Sequence, residues 1–165
     1  MSVRPLLWIL SLVIVGIGIY FIVFLISNMS ITGYTLNIEN PSGTAEERVS
    51  PPDRITENQI EILNDKIIIH IGNAHLSRYT NTNSMDPLID ENSNGIEIIP
   101  KTPEDIHVGD IVTYERDGIM VIHRVIEIGE DRKGRYYIVK GDNNKEKGEK
   151  IRFKQIKYIT IGILY

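Results

Sequence analysis

Cysteine is missing from all 165 residues of the chain. Its absence excludes disulfide bonds, thiolate nucleophiles and cysteine-based zinc sites. Positive charge is also scarce, with 18 lysines and arginines against 22 acidic residues and a net charge of −4. Since no basic stripe interleaved with aromatic residues is present, we expect no nucleic-acid partner. The apolar share of 42% and charged share of 24% are ordinary, and with this length they predict one folded domain with attachments.

A long apolar run occupies residues 5–27 and contains no charged residue. As a helix it would be about 34 Å long, at roughly 1.5 Å per residue, which is enough to cross the hydrocarbon core of a bilayer. The run is longer than the apolar region of a cleaved signal peptide, and it ends in Asn28-Met29-Ser30 without a small-x-small cleavage site. We therefore predict an uncleaved transmembrane helix at 5–27.

The orientation of this helix depends on few charges. Arg4 and the amino terminus precede the run, and the next basic residue is Arg48. The positive-inside rule then predicts a short cytoplasmic N-terminus at 1–4 and an extracytoplasmic remainder. The chain is accordingly expected to be a single-pass protein of the cell membrane, with the lipid bilayer as one partner.

Residues 28–55 have the composition of a linker, because turn-forming segments at 40–43 and 50–53 flank a charged one. From 56 to 165, valine, isoleucine and tyrosine enrichment favours strands, although an amphipathic helix at 56–63 is an alternative. Predicted strands lie at 60–62, 66–71, 95–99, 110–115, 119–128, 135–140 and 155–165, with a hairpin connection at Gly129–Gly134. We expect a mainly β fold: an antiparallel, partly closed β-domain at 56–165.

Ser84 lies in the turn Asn83-Ser84-Met85-Asp86-Pro87. Pro87 disfavours helix at Asp86 and bends the chain soon after the serine. A serine there can be exposed beside free backbone N–H groups, which are the donors that an oxyanion hole needs. Met85 would be buried beneath the turn. By composition alone, an ordinary surface turn is the simpler interpretation.

One histidine and one aspartate downstream complete the parts of an activated nucleophile. His123 follows Val121 and Ile122, and in a strand it shares a face with Val121 and Val125. A packed core histidine is the simpler interpretation, but its ordinary pKa near neutrality suits a general base. Asp142 lies in a Gly-Asp-Asn-Asn segment that is a natural turn, or it is a carboxylate that accepts from the histidine ring.

Four segments occur together in a characteristic order: Ser84-Met85-Asp86-Pro87, Gly109-Asp110-Ile111-Val112, Ile122-His123-Arg124-Val125-Ile126 and Lys140-Gly141-Asp142-Asn143-Asn144. Over about residues 80–145 the chain resembles type I signal peptidases of the archaeal and endoplasmic-reticulum type. This type has histidine where the typical bacterial enzyme has lysine. The resemblance implies a membrane-tethered serine endopeptidase that cleaves signal sequences of exported proteins and needs neither cofactor nor metal.

The resemblance also implies the roles of individual residues. Ser84 is the nucleophile, His123 the general base, and the backbone at Ser84 and Met85 holds the oxyanion. The substrate is the extended end of a signal sequence, paired as an added strand beside two short segments. These segments contain Thr82, Asn83, Val121 and Ile122. A preprotein and the export machinery are the implied protein partners.

The chain departs from the family pattern at position 148. The family usually carries a second aspartate there, commonly assigned as the acid of the triad, whereas this chain has Gly148. Asp142, Glu146 or Glu149 is then left to orient His123, or no residue does so. The polar segment 90–97 is also longer than a minimal connection of the family.

Two further functions stay open at this point. The altered acidic segment allows a non-enzymatic tethered β-domain that binds extended peptides or a secretion partner, and a protease for a narrow substrate set is also possible. A serine–lysine site, as in self-cleaving repressors, would need a buried lysine with a lowered pKa. Candidates for that lysine are Lys66, Lys101 and Lys140, but the predicted anchor and His123 argue against this site. The remaining histidines, His70, His75 and His107, have no metal-like spacing.

Overall fold

A computed structural model of the chain describes residues 14–22, 24 and 48–165. The chain divides into two units, Met1–Ala45 and Glu46–Tyr165. In the first unit the described residues are helical and exposed. Among all residues that the structure describes, no helix has the length and apolar character that crossing a membrane requires. The predicted anchor at 5–27 and linker at 28–55 fall mostly outside the described residues and stay predictions.

The second unit is mainly β, with antiparallel strands and little helix, as predicted. Short 3₁₀ turns lie at Glu57–Gln59, Pro103–Asp105 and Phe153–Gln155. The strands of the described chain are β1 (Ile60–Ile62), β2 (Ile67–Ile69), β3 (His75–Arg78), β4 (Asn94–Ile98), β5 (Ile111–Arg116), β6 (Ile119–Asp131), β7 (Gly134–Lys140), β8 (Glu149–Ile151) and β9 (Ile156–Leu164).

These strands form two antiparallel sheets. β1 pairs with β2 in a two-stranded ribbon, and the other seven form one sheet in the order β3-β4-β9-β5-β6-β7-β8. The last strand of the chain is therefore central, between β4 and β5. Among the described strands, β3 and β8 each pair on one side only, so the large sheet has two open edges.

The strands that the sequence analysis missed are these two edge strands. β3 (His-Leu-Ser-Arg) and β8 (Glu-Lys-Ile) are short and largely polar, because an edge strand buries little and need not alternate clearly. The helix alternative at 56–63 is wrong, since one 3₁₀ turn at Glu57–Gln59 passes directly into β1. The connection predicted at Gly129–Gly134 is shorter than expected, because β6 continues to Asp131.

Two apolar clusters fill the interior. The larger one is built on β5, β6, β7 and β9, and its members include Val112, Tyr114, Val125, Tyr137 and Ile159. The smaller one contains Met85, Ile89 and Ile111, with Tyr79, Leu88, Ile122 and Ile163 packed against it. The smaller cluster thus ties the Ser84 turn to β5 and β6, the hairpin that carries His123.

The end of the predicted linker is attached to this domain. Arg54 donates to the buried Asp110 carboxylate at 2.6 Å and to the Asp105 carbonyl oxygen at 2.7 Å. A side chain at Gly109 would lie 2.3 Å from the Ser50 carbonyl oxygen. The Gly-Asp pair before β5 therefore fastens the incoming chain to the sheet.

Candidate active site

The Ser84 turn presents a hydroxyl over a buried methionine. Met85 is only 1% exposed, and its carbonyl oxygen accepts from the N–H groups of Leu88 and Ile89 at 3.0 and 3.1 Å. Ser84 is half-buried, and its hydroxyl lies 3.2 Å from that of Thr82. Within the described chain the backbone N–H groups of Ser84 and Met85 donate no hydrogen bond. Both donors are thus left for another acceptor.

The Gly-Asp-Asn-Asn segment holds this turn from behind. The Asn143 N–H donates to the Ser84 carbonyl oxygen at 2.9 Å, and the Asn143 side-chain amide donates to the Asn83 carbonyl oxygen at 2.9 Å. The Asp142 N–H points to the Met85 sulfur at 3.4 Å. A side chain at Gly141 would lie 2.5 Å from the Ser84 carbonyl oxygen. The two motifs therefore form one backbone unit.

The Asp142 carboxylate binds Arg124 and does not contact His123. Arg124 donates through Nε to one carboxylate oxygen at 2.9 Å and through Nη2 to the other at 2.7 Å. The side chains of this ion pair are only 9% and 7% exposed. Arg124 also donates to the Gly109 carbonyl oxygen at 2.9 Å. The prediction that Asp142 accepts from the histidine ring is corrected accordingly, since both of its oxygens serve the arginine.

A tyrosine hydroxyl connects the His123 ring to a different carboxylate. The buried His123 ring has its Nδ1 atom 3.1 Å from the Tyr114 hydroxyl. That hydroxyl donates to the Glu149 carboxylate at 2.9 Å, and Arg116 donates to the same carboxylate oxygen at 3.1 Å. Glu146, the other acidic candidate, is exposed and has no such contact within the described chain.

The surroundings of His123 favour the neutral imidazole. Burial is the main cause that lowers its pKa, and the Arg116 charge adds to the effect, whereas Glu149 and Asp142 oppose it. Burial and the neighbouring Glu149 raise the pKa of Tyr114, so the phenol keeps its proton. Because that proton is donated to Glu149, the Tyr114 oxygen accepts from Nδ1–H of His123. This assignment leaves the lone pair on Nε2.

Ser84 and His123 line the same cleft, which has a volume of about 660 Å³. Thr82, Met85, Val121 and Ile122 line it too, whereas Asn83 does not. Within the described chain no hydrogen bond joins the Ser84 hydroxyl to His123. Catalytic hydrogen bonds are often formed fully only with substrate present.

A free strand edge borders the cleft. Residues 119–123 of β6 pair with β5, but β7 pairs with β6 only from Arg124 onward. Within the described sheet, the other edge of this segment therefore has no strand partner. Its backbone groups are available to an extended peptide that lies in the cleft.

Segment 90–97 forms a tight turn followed by a strand. The Ser93 hydroxyl donates to the Asp90 carbonyl oxygen at 2.7 Å, and β4 begins at Asn94. In β4 the fully buried Glu97 carboxylate lines the cleft and accepts from Thr113 at 2.7 Å and from Ser77. The polar character of this segment thus continues into the cleft wall.

The other candidates lie elsewhere. Lys66, Lys101 and Lys140 do not line the cleft, so none is placed as a serine–lysine base. His70 is 3.3 Å from Glu61 at the surface, the His75 ring packs at a tilted angle against Tyr158, and His107 lies 3.8 Å from Asp110. No group of three or more metal-binding side chains occurs among the described residues.

Tyr114 and Arg116 were missed in the sequence analysis. The register of the β5–β6 hairpin pairs Val112 with His123, which makes Tyr114 a diagonal neighbour of the histidine on the same face. The Asp117-Gly118 turn would have fixed that register from sequence.

Comparisons of the chain with models of protein families, with curated proteins and with solved structures found no match.

Proposed function

We propose that the chain is a membrane-anchored serine endopeptidase, similar to type I signal peptidases, that cleaves signal sequences of exported proteins. The observation that carries the proposal is that Ser84 and the buried His123 line one cleft beside a free strand edge. The proposal includes the transmembrane helix at 5–27, an extracytoplasmic catalytic domain and the export machinery as a partner. An anchor suits this activity because the substrate is itself held in the bilayer.

The proposed reaction proceeds through an acyl-enzyme. The Ser84 oxygen attacks the scissile carbonyl carbon while Nε2 of His123 takes the hydroxyl proton. The backbone N–H groups of Ser84 and Met85 stabilise the oxyanion that forms. Collapse of the tetrahedral intermediate breaks the C–N bond, and His123 returns the proton to the leaving amine. Water then hydrolyses the ester, again with His123 as base.

The substrate would bind as an added strand. Residues 119–123 of β6 supply the backbone edge, with Val121 and Ile122 in the cleft wall. The segment before Ser84 contributes Thr82 to the lining of the same cleft. An extended peptide between them would bring one carbonyl group to the serine hydroxyl.

A peptide-binding domain without catalysis is the second candidate. It is favoured by the absence of a hydrogen bond between Ser84 and His123 within the described chain, together with the same free edge. Such a domain would bind extended signal sequences or a secretion partner and leave them intact.

Cleavage of a preprotein by the full chain in reconstituted membranes separates the two. We expect specific cleavage by the wild type and a loss of about 10⁴-fold or more in Ser84→Ala and His123→Ala. His70→Ala is the control: it changes an exposed histidine that directly follows β2, and this variant should cleave normally. Binding without cleavage in a folded wild type, and no labelling of Ser84 by a phosphonate probe, would favour the binding domain.

A further inference from the structure

We propose that Tyr114 and Glu149 are positioning residues for His123, so that serine, histidine, tyrosine and glutamate act as one series of hydrogen-bonding groups. In this series a phenol hydroxyl lies between the imidazole and the carboxylate. The proposal deepens the proposed function and rests on it for its catalytic meaning. The arrangement of the three side chains around the His123 ring can be tested separately.

The geometry supports a fixed relay. Tyr114 has no exposed surface and belongs to the larger apolar cluster, so its hydroxyl has little freedom to move. Its oxygen lies 3.1 Å from Nδ1 of His123 and 2.9 Å from the Glu149 carboxylate. A hydroxyl has one proton to donate, and a carboxylate only accepts. The direction of both hydrogen bonds follows, with Nδ1–H donating to the tyrosine and Nε2 free for Ser84.

The charges near His123 select Glu149 over Asp142. The Asp142 charge is neutralised by a bidentate ion pair with Arg124. Within the described chain, Glu149 has only one hydrogen bond with an arginine, the half-exposed Arg116. Of the two carboxylates that raise the pKa of His123, Glu149 has the larger effect. When His123 takes a proton from Ser84, the new positive charge is therefore stabilised through the tyrosine by Glu149.

The backbone explains why the carboxylate is at position 149. A side chain at Gly148 would lie 2.5 Å from Ile138 Cγ2 and 2.9 Å from the Val139 carbonyl oxygen. Both atoms belong to β7, so an acid at 148 would require the strands to shift. Glu149 is the first residue of β8 and directs its carboxylate to the Tyr114 hydroxyl.

The ¹⁵N chemical shifts of the His123 ring in the full-length protein provide the main test, because they report the tautomer without any activity. We expect the Nδ1–H form in the wild type and a shift towards Nε2–H in Tyr114→Phe. Tyr137→Phe is the matched control, since Tyr137 is equally buried and its hydroxyl donates to the Pro103 carbonyl oxygen at 2.8 Å, away from the cleft. An unchanged tautomer in Tyr114→Phe would overturn the relay.

A second pair of variants tests the carboxylate. When the same ¹⁵N spectra are recorded over a range of pH, Glu149→Gln should lower the pKa of His123, because a negative charge that favours the imidazolium is removed. Glu149→Asp should restore part of that change, and Glu146→Gln, an exposed change in the same segment, should have none. These variants leave unchanged the other charged or titratable groups that face the ring, which are Tyr114, Arg116 and Asp142. An unaltered His123 pKa in Glu149→Gln would contradict the role of this carboxylate.

Cleavage assays connect the relay to the reaction. We expect Tyr114→Phe to lower kcat/KM by about 10- to 1000-fold, less than the roughly 10⁴-fold effect of losing a direct orienting carboxylate, with Tyr137→Phe close to wild type. Normal cleavage by Tyr114→Phe would overturn the relay as a catalytic device. A tautomer change in Tyr114→Phe combined with no cleavage by any protein, including the wild type, would support the relay and overturn the proposed function instead.

Discussion

The two walls of the cleft are held in different ways. The serine wall depends on backbone and apolar contacts: Asn143 donates to the Ser84 carbonyl oxygen, and Met85 is buried below the turn. The histidine wall depends on side chains, since the Tyr114 hydroxyl contacts both the His123 ring and the Glu149 carboxylate. Changes to the contacts that hold the first wall should therefore act mainly through stability, and changes to the contacts of the second wall should act mainly through the chemistry of His123.

Two of the acidic residues that follow β7, Asp142 and Glu149, show the same contrast. Asp142 lies in a nearly buried ion pair with Arg124, which joins β6 to the segment behind the serine. Glu149 is 34% exposed in its side chain and reaches the histidine through a phenol. A conspicuous motif aspartate thus serves the fold, and a less conspicuous glutamate lies by the candidate base.

The largest effect that would sharpen this comparison is expected for Asp142→Asn. The change removes one charge of a buried ion pair and leaves Arg124 unmatched, which costs about 3–5 kcal/mol of unfolding free energy. Urea unfolding measures this cost. Glu115→Gln breaks the exposed pair with Lys157 at 2.9 Å and should cost at most about 1 kcal/mol. Equal costs for the two variants would mean that the Asp142 pair has no special structural weight.

A smaller effect on the serine wall is expected for Gly141→Ala. The added carbon would lie 2.5 Å from the Ser84 carbonyl oxygen and 2.8 Å from the Asn144 side chain, so the turn must shift. We expect a cost of about 1–3 kcal/mol, typical of overpacking, together with reduced cleavage. Gly72→Ala is the control, because nothing lies within 4 Å of the new carbon. A Gly141→Ala protein as stable and active as the Gly72→Ala protein would show that the two motifs are not tightly joined.

Much of the fold follows from the residue types in the sequence. Strands β5, β6 and β7 were predicted because valine, isoleucine and tyrosine are enriched in segments separated by turn residues. The edge strands β3 and β8 were not predicted, since they pair on one side and bury few side chains. The pattern of apolar residues in a short segment indicates which positions are buried, and an edge strand with few buried side chains therefore gives only a weak pattern.

The two central residues of the candidate site were predicted from the sequence, but the side chain that contacts His123 was not. Ser84 and His123 were named from their motifs, and they line one cleft. The partner of Asp142 was missed, although β-strand parity contains the answer. Arg124 lies opposite Lys140, the last residue of β7, so an extended continuation of β7 would place Asp142 on the side of Arg124, whereas His123 is on the other face. Parity and hairpin register together would have directed attention from Asp142 to Tyr114.

The smallest expected effect concerns the acid side of the pH profile. Burial lowers the pKa of His123 below its ordinary value of about 6.5. Between the two values the unfolded chain binds more protons than the folded one, so this group makes stability rise with pH up to about 6.5 and is without effect above it. Thermal unfolding should accordingly be less sensitive to acid in His123→Gln than in the wild type.

The acid limb of kcat/KM should lie below 6.5, because the base stays unprotonated there. Arg116→Gln should move that limb upward, since it removes a positive charge that disfavours the imidazolium. A limb that moves downward in Arg116→Gln would mean that the arginine acts mainly by holding the Glu149 carboxylate in place, and the histidine wall would then depend on the ion pair between Arg116 and Glu149.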